Sequence, residues 1–301
     1  MLLIMPNRTI AISGASGLIG SALAAHLEES GSKVLRLVRR AARTPAEIVW
    51  NPAARQLDPA SLSAVDAVVN LAGTTIGQRW FGRRRGEILR SRIDATETIV
   101  GAIAKSDRPA TLVNGSAVGF YGSRGDELLD ETSSGGSGYL AGVCREWEAA
   151  ADRATATGSR VVKLRTGVVL SDKAGALPQM LRPFRLFVGG RVGSGRQWLS
   201  WIDIEDMVRA ISFLIDTPTA SGAFNLVAPN PVTNAEFTAT VAQLMHRPAL
   251  FPVPAFVLKL LFGEMAEQTL LASQRAMPRA LQQAGFVFSR PTIRESLARF
   301  V

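Results

Sequence analysis

The stretch Ile10–Leu27, read IAISGASGLIGSALAAHL, limits what this chain can fold into more than any other. A short apolar run ends at Gly14, and Gly14-Ala15-Ser16-Gly17-Leu18-Ile19-Gly20 opens a segment with apolar residues at helical spacing. The pattern predicts a strand, a tight glycine turn and a helix. In such a turn Gly14 lets the chain reverse, Gly17 removes a side chain that would block a phosphate, and Gly20 lets helix and strand pack closely. The helix start then offers unpaired N–H groups and a partial positive charge to a pyrophosphate. The spacing is G-x-x-G-x-x-G rather than G-x-G-x-x-G, but the strand before it and the helix after it supply the context the motif needs. Gly14, Ser16, Gly17, Leu18, Ile19 and Gly20 are therefore the expected cofactor contacts. A purely structural turn is the competing reading.

Beyond the turn, strand and helix alternate, which argues for a parallel sheet covered on both faces. Strands are expected at Val34–Val38, Ile48–Trp50, Ala67–Asn70, Thr111–Asn114 (bounded by Gly115-Ser116) and Val161–Leu164. Helices are expected at Gly86–Lys105 and from Tyr139 to about Ala156. After that the alternation degrades: Leu170–Gly195 reads as irregular, then come Trp198–Ile202, a helix Ile204–Ile215 and a strand Ala223–Val227. Asn234 reads as the cap of a helix Ala235–Met245, and the tail from Pro248 as short helices broken by prolines. The expected fold class is α/β, a Rossmann-type doubly wound parallel sheet with a smaller, mostly helical C-terminal cap. Residues 1–170 and 201–230 would form the NADP-binding domain, and 171–200 with 231–301 the substrate-side cap.

Composition narrows the partners. The chain has 301 residues, 47% apolar and 20% charged, which fits an ordinary globular protein. MLLIMP is too short for a signal-peptide core, and no stretch reads as membrane-spanning. One cysteine, Cys144, excludes an internal disulfide and fits a reducing, cytoplasmic setting. The net charge of +9 favours anionic partners. Its densest cluster, Arg79, Arg83, Arg84, Arg85, Arg90 and Arg92, also reads as a solvated helix face. No nucleic-acid-binding motif accompanies it, so a small-molecule substrate is the expected partner and nucleic acid is not. His26 and His246 lack partners at metal spacing, so no metal site is expected. Cys144 reads as core packing and Asp206 as a structural residue near a helix start.

The end of the second strand usually selects between the two nicotinamide dinucleotides. An acid there bonds the ribose 2′-hydroxyl, and arginine accommodates a 2′-phosphate. The chain has Leu37-Val38-Arg39-Arg40 with no acid beside it, so Arg39 and Arg40 predict NADP(H) over NAD(H).

SGASGLIGSAL, DAVVNLAG, RWFGRRRGEILRSRIDATETIVGAI, GSAVGFYG, YLAGVCREWEAAA, LRTGVVL, GSGRQWLSWIDIEDMVRAI and SQRAMPRALQQAGFVFSRP together resemble the extended, atypical branch of the short-chain dehydrogenase/reductase superfamily. Within it they are similar to bacterial epimerase family proteins with a C-terminal extension. The resemblance implies that Leu71, Ala72 and Gly73 line the cofactor site, and that Arg165, Gly167 and Val168 lie near the nicotinamide. Arg196, in the loop Gly193–Gln197, matches a stretch that often faces substrate, where a guanidinium would hold a phosphate or carboxylate. The helices around Gly86–Lys105 and Tyr139–Ala156 pair many relatives into homodimers.

The catalytic part departs from the superfamily. Its enzymes use a tyrosine and a lysine four residues later on one helix face, so that the ammonium lowers the phenol's pKa and holds the ribose. A serine or threonine comes from the preceding strand end. Here Tyr139 stands at the tyrosine's place, but Val143 stands at the lysine's. Ser116 is the candidate hydroxyl, although counting back from Tyr121 puts Ala117 there; Tyr121 itself is a second acid/base candidate. Lys163 has no geometry that brings it to Tyr139. The expected function is an NADP(H)-dependent oxidoreductase or epimerase-like enzyme on an unidentified small molecule. The alternatives are an NADPH-binding sensor or scaffold without hydride chemistry, and nucleic-acid binding through the arginines.

Overall fold

The computed structural model describes residues 8–301; the MLLIMP segment lies outside the described residues. In chain order the elements are β1 (Thr9–Ser13), α1 (Leu18–Glu29), β2 (Lys33–Val38), β3 (Glu47–Asn51), β4 (Gln56–Leu57), β5 (Ala67–Asn70), α2 (Arg84–Ile103), β6 (Thr111–Ala117), β7 (Leu128–Leu129) and α3 (Tyr139–Asp152). They continue with β8 (Val161–Thr166), β9 (Val168–Leu170), α4 (Leu177–Arg185), β10 (Trp198–Leu199), β11 (Trp201–Asp203), α5 (Ile204–Asp216), β12 (Gly222–Leu226), β13 (Val232–Thr233), α6 (Asn234–Met245), α7 (Ala255–Phe262), β14 (Arg275–Ala276), α8 (Arg279–Gln283) and α9 (Ile293–Leu297).

Eight strands form one sheet in the order β12-β8-β6-β5-β1-β2-β3-β4. All pairings are parallel except β3–β4 at the edge. Strand periodicity divides the core between the two faces. Ile10 and Ile12 of β1 point to one side, against Leu23 and Leu27 of α1 and Ile211 and Leu214 of α5. Ala11 points to the other, with Leu112 of β6 and Ile99 and Ile103 of α2. This is a Rossmann-type layered sheet. The order reverses between β1 and β5, so the loops after these two strands diverge and leave a crevice at their carboxyl ends.

The C-terminal region is smaller and mostly helical. Leu177, Leu181 and Phe184 of α4 pack with Phe237 and Val241 of α6 and Ile293 and Leu297 of α9. Two fully buried carboxylates strap the tail to α5. Asp203 caps α5 by accepting from Glu205 N and also takes Ser296 Oγ at 2.7 Å and Arg299 Nη1 at 3.0 Å. Asp206 accepts from the backbone N–H groups of Ser289 and Arg290 at 2.8 and 2.9 Å, and from Arg209. Two backbone amides satisfy this buried carboxylate and the Arg209 guanidinium offsets its charge. No helix among the described residues is long and apolar enough to cross a membrane.

Three local expectations need correction. β6 does not stop at Asn114 but runs to Ala117, because Gly115, Ser116 and Ala117 continue the ladder with Leu164, Arg165 and Thr166 of β8. The stretch 170–195 is not all irregular: it contains α4, whose start Pro178 tolerates because first-turn N–H groups have no intrahelical acceptor. Asn234 does not cap α6. Thr233 does, in a capping box with Glu236, while Asn234 Oδ1 accepts from Val192 N at 2.8 Å.

Candidate functional site

The glycine turn at the end of β1 leaves no room for side chains. Gly14 has φ 68°, and a Cβ on it would stand 2.8 Å from Leu71 O. A Cβ on Gly20 would stand 2.2 Å from Gly14 O, so α1 rests directly on the turn. Gly17 N donates to Gly14 O at 2.9 Å and closes it. Gly17 is also the N-cap of α1 and supplies no side-chain cap, so the first N–H groups of the helix stay open. Ser16 and Gly17 are exposed there, with Leu18 and Ile19 half-buried behind them.

The neighbouring loop is tied to this turn by a residue that the motif alone does not single out. Ser13 Oγ donates to Asn70 Oδ1 at 2.6 Å and accepts from Leu71 N and Ala72 N, each at 3.2 Å. Asn70 Nδ2 donates in turn to Asn114 Oδ1 at 2.7 Å and Thr96 Oγ1 at 2.9 Å. The ends of β1, β5 and β6 are thus held in register by buried polar side chains, whose loss would leave unpaired buried groups. Polar residues ending apolar runs (Ser13, Asn70, Asn114) were the available signal.

At the end of β2 the absence of an acid is corrected. Glu47 of β3 takes Arg40 Nη1 and Nη2 at 2.9 and 2.6 Å, and Arg43 N at 2.7 Å. These bonds, Arg40 first, pull the Glu47 carboxyl down to about 2. Seven residues separate the pair in sequence, but β2 and β3 are adjacent strands, so the sequence order conceals it. Arg39 is exposed and pairs with no acid among the described residues.

Tyr139 begins α3 and is gripped from three sides. Its hydroxyl donates to the carbonyl of Arg85, the Arg85 guanidinium lies 4.4 Å from its ring centroid, and Trp80 meets it edge-on at 5.2 Å. Burial raises its pKa, and Arg85 and Arg92 only partly oppose that, so the phenol is protonated at neutral pH. The tail reaches the same place. Glu264 pairs with Arg85 at 3.0 Å and accepts from Gln268 Nε2 at 2.6 Å, while Gln268 Oε1 accepts from Leu140 N at 2.8 Å. The C-terminal segment therefore caps the helix that carries Tyr139, and the arginine cluster is not simply a solvated face.

Ser116, Tyr121 and Arg165 come together, but around Glu148. Ser116 Oγ donates to Glu148 Oε1 at 2.7 Å. Arg165 grips both Glu148 oxygens at 2.9 Å and donates from Nη1 to Tyr121 OH at 3.0 Å. Its guanidinium also stacks 3.6 Å from the Phe120 centroid. Tyr121 is fully buried, its hydroxyl donating to Asn225 Oδ1 at 2.7 Å, and its pKa is raised by burial first. The donors of Arg165, expected near the nicotinamide, are committed to Glu148, Tyr121 and the Glu131 carbonyl. Sequence spacing misses Glu148 because it lies on the far side of α3.

Gly167 is pinched: a Cβ there would stand 2.6 Å from Ser200 O, and Val168 N donates to that same carbonyl at 2.8 Å. Arg196 is exposed in a loop whose Ser194 Oγ accepts from its backbone N–H at 3.2 Å. Lys163 pairs with Asp152 at 2.9 Å, away from Tyr139's face of α3. Cys144 is buried, which pushes its thiol up to about 11 and keeps it in the unreactive protonated form at neutral pH. A surface concavity of about 340 Å³ lined by His26, Arg209 and Phe286 lies between α1, α5 and the tail, away from these strand ends.

Residues 10–227 match the model of the NAD dependent epimerase/dehydratase family. The chain belongs to that family. Residues 253–300 match a second model, a domain of unknown function termed DUF1731, which contains the Glu264 and Gln268 that reach Tyr139. An epimerase family protein of Mycobacterium bovis is 48% identical over 294 residues, spanning 97% of each chain. The crystal structure of the human epimerase family protein SDR39U1, solved with NADPH, is 32% identical with a TM-score of 0.87, covering 97% of this chain and 99% of that one. A nucleoside-diphosphate sugar epimerase of Corynebacterium glutamicum is 36% identical with a TM-score of 0.80; this chain spans 57% of it.

Proposed function

We propose that this family member is an NADP(H)-dependent oxidoreductase or epimerase-like enzyme acting on a small molecule. The observation that carries this reading is the Gly14–Gly20 turn, where side chains are excluded at Gly14 and Gly20 and an open helix start faces the crevice. That cradle fits a dinucleotide, and the NADPH-bound human relative supports the choice of cofactor. The open amides of Leu18 and Ile19 would hold the pyrophosphate and Arg39 the 2′-phosphate. Leu71, Ala72 and Gly73 would flank the ribose end. The nicotinamide supplies hydride transfer when bound. The protein's part is to exclude water, to orient the substrate and to present a protonated phenol, Tyr139, as hydrogen-bond donor or acid.

The test is NADPH consumption over a panel of aldehydes and ketones, wild type against Tyr139→Phe. Turnover that falls about 100-fold or more in the variant supports the reading. A second reading, an NADPH-binding sensor, is favoured by one observation: Val143 replaces the lysine, and the Tyr139 hydroxyl is spent on the Arg85 carbonyl. Tight NADPH binding with no turnover on any carbonyl would establish that reading instead.

A further inference from the structure

One half-buried cation beside Tyr139 has no counter-charge among the described residues. Arg92 rises from α2 into the wedge between the β5 loop and α3. Its Nη1 donates to Ile88 O at 2.9 Å and Thr74 O at 3.1 Å. Its Cζ lies 5.1 Å from the centroid of Trp147, whose Nε1 donates to Thr96 Oγ1 at 3.0 Å and fixes the indole. Two glycines make room for this stack. A Cβ on Gly73 would stand 3.2 Å from Arg92 Cζ, and one on Gly115 would stand 2.7 Å from Trp147. No carboxylate pairs with Arg92 among the described residues, whereas the buried Arg165 has Glu148. The ionisable groups that act on it are Cys144 and Tyr139, both neutral at pH 7. A half-buried cation held against an indole and left without an anion gains from a ligand that neutralises it.

The geometry of the free donors says what that ligand is. A guanidinium has five N–H groups. The two on Nη1 are used by carbonyls, which leaves the Nε–Nη2 edge open. This is the edge with which Arg165 grips both oxygens of Glu148 in the same protein. It presents two parallel N–H groups, matched to a planar carboxylate. Of the two cations acting on Tyr139, Arg85 is already neutralised by Glu264, which leaves Arg92 as the one uncompensated positive charge acting on that phenol. That suits a carboxylate better than a dianionic phosphate.

We propose that the Nε–Nη2 edge of Arg92 binds a carboxylate of the substrate, which makes the substrate class a small carboxylic acid handled beside Tyr139. The inference deepens the reading above and rests on it for the reaction. The anion site itself stands on Arg92. Binding of oxalate and of inorganic phosphate is measured by calorimetry for wild type, Arg92→Lys and Arg92→Met, each with and without saturating NADPH. Oxalate is expected to bind wild type, to weaken about tenfold or more in Arg92→Met, and to be intermediate in Arg92→Lys, a point charge without the fork. NADPH affinity is expected to change less than about threefold, a small shift beside that tenfold loss. If Arg92→Met does not fold, Gly73→Ala, which crowds the guanidinium, is expected to weaken oxalate in its place. No oxalate binding to wild type, equal binding in the variants, or phosphate preferred to oxalate would overturn the proposal. Oxalate binding through Arg92 in a protein that does not bind NADPH would uphold this site and defeat the cofactor reading.

Discussion

Arg85 holds Tyr139 twice, stacking its guanidinium 4.4 Å from the ring centroid and accepting a hydrogen bond from the phenol on its main-chain carbonyl. The same guanidinium pairs with Glu264 of the C-terminal segment. A phenol held this way is fixed in direction but not activated, since burial raises its pKa. Tyr139→Phe is therefore expected to cost about 1 kcal/mol of stability, the usual worth of one hydrogen bond. Denaturant unfolding measures this. A loss of 3 kcal/mol or more would mean that the hydroxyl is chiefly structural.

Glu148 is the keystone of the buried network at the β6 and β8 ends. Glu148→Ala strands the Arg165 guanidinium and the Ser116 hydroxyl in the interior, and is expected to destabilise by about 3–5 kcal/mol. Replacing both partners by apolar residues of similar volume should recover much of this. A chemical denaturation series on single and double variants reads the difference, and a double variant as unstable as the single one would contradict it.

The Arg40–Glu47 pair carries a pH signature. The Glu47 pKa is depressed from its ordinary 4.5 to about 2, so the folded state is favoured above 4.5 and that contribution fades as pH falls toward 2. Carbon-detected NMR titration of Glu47 should give a midpoint near the lower value, returning toward the upper one in Arg40→Ala. Glu47→Gln should free Arg40 and tighten NADPH relative to NADH. An unchanged preference would remove Arg40 from the 2′-phosphate site.

Cys144 should resist alkylation. Its thiol is buried and pushed up to about 11, so iodoacetamide at pH 8 should label it only after unfolding. Rapid labelling of the native protein, followed by mass spectrometry, would show that α3 opens.

The parts of the fold that local pattern controls were legible in the sequence. The β1–turn–α1 unit, the parallel sheet and its helices follow from apolar periodicity and glycine placement, all within a few residues of one another. What stayed hidden depends on distant neighbours. Glu47 finds Arg40 only because β2 and β3 lie side by side, and Glu148 finds Arg165 only because α3 packs on β8. Gln268 reaches Leu140 across 128 residues, which no spacing rule encodes. The cap on α6 shifted by one residue because Thr233 and Glu236 satisfy each other, whereas Asn234 serves Val192. Arg92 looked like one more charge in a basic cluster, and only its packing against Trp147 and Gly73 sets it apart.

The most direct test of the central claim is a fluorescence titration of the wild-type protein with NADPH and, separately, with NADH, repeated on Gly20→Val and on Arg39→Ala. NADPH should bind more tightly than NADH. Arg39→Ala should narrow that difference by about 1.5–3 kcal/mol, the worth of one charge-assisted hydrogen bond. Gly20→Val, whose Cβ would stand 2.2 Å from Gly14 O, should abolish binding of both. Absence of binding to the wild type, or binding that survives in Gly20→Val, would contradict the account.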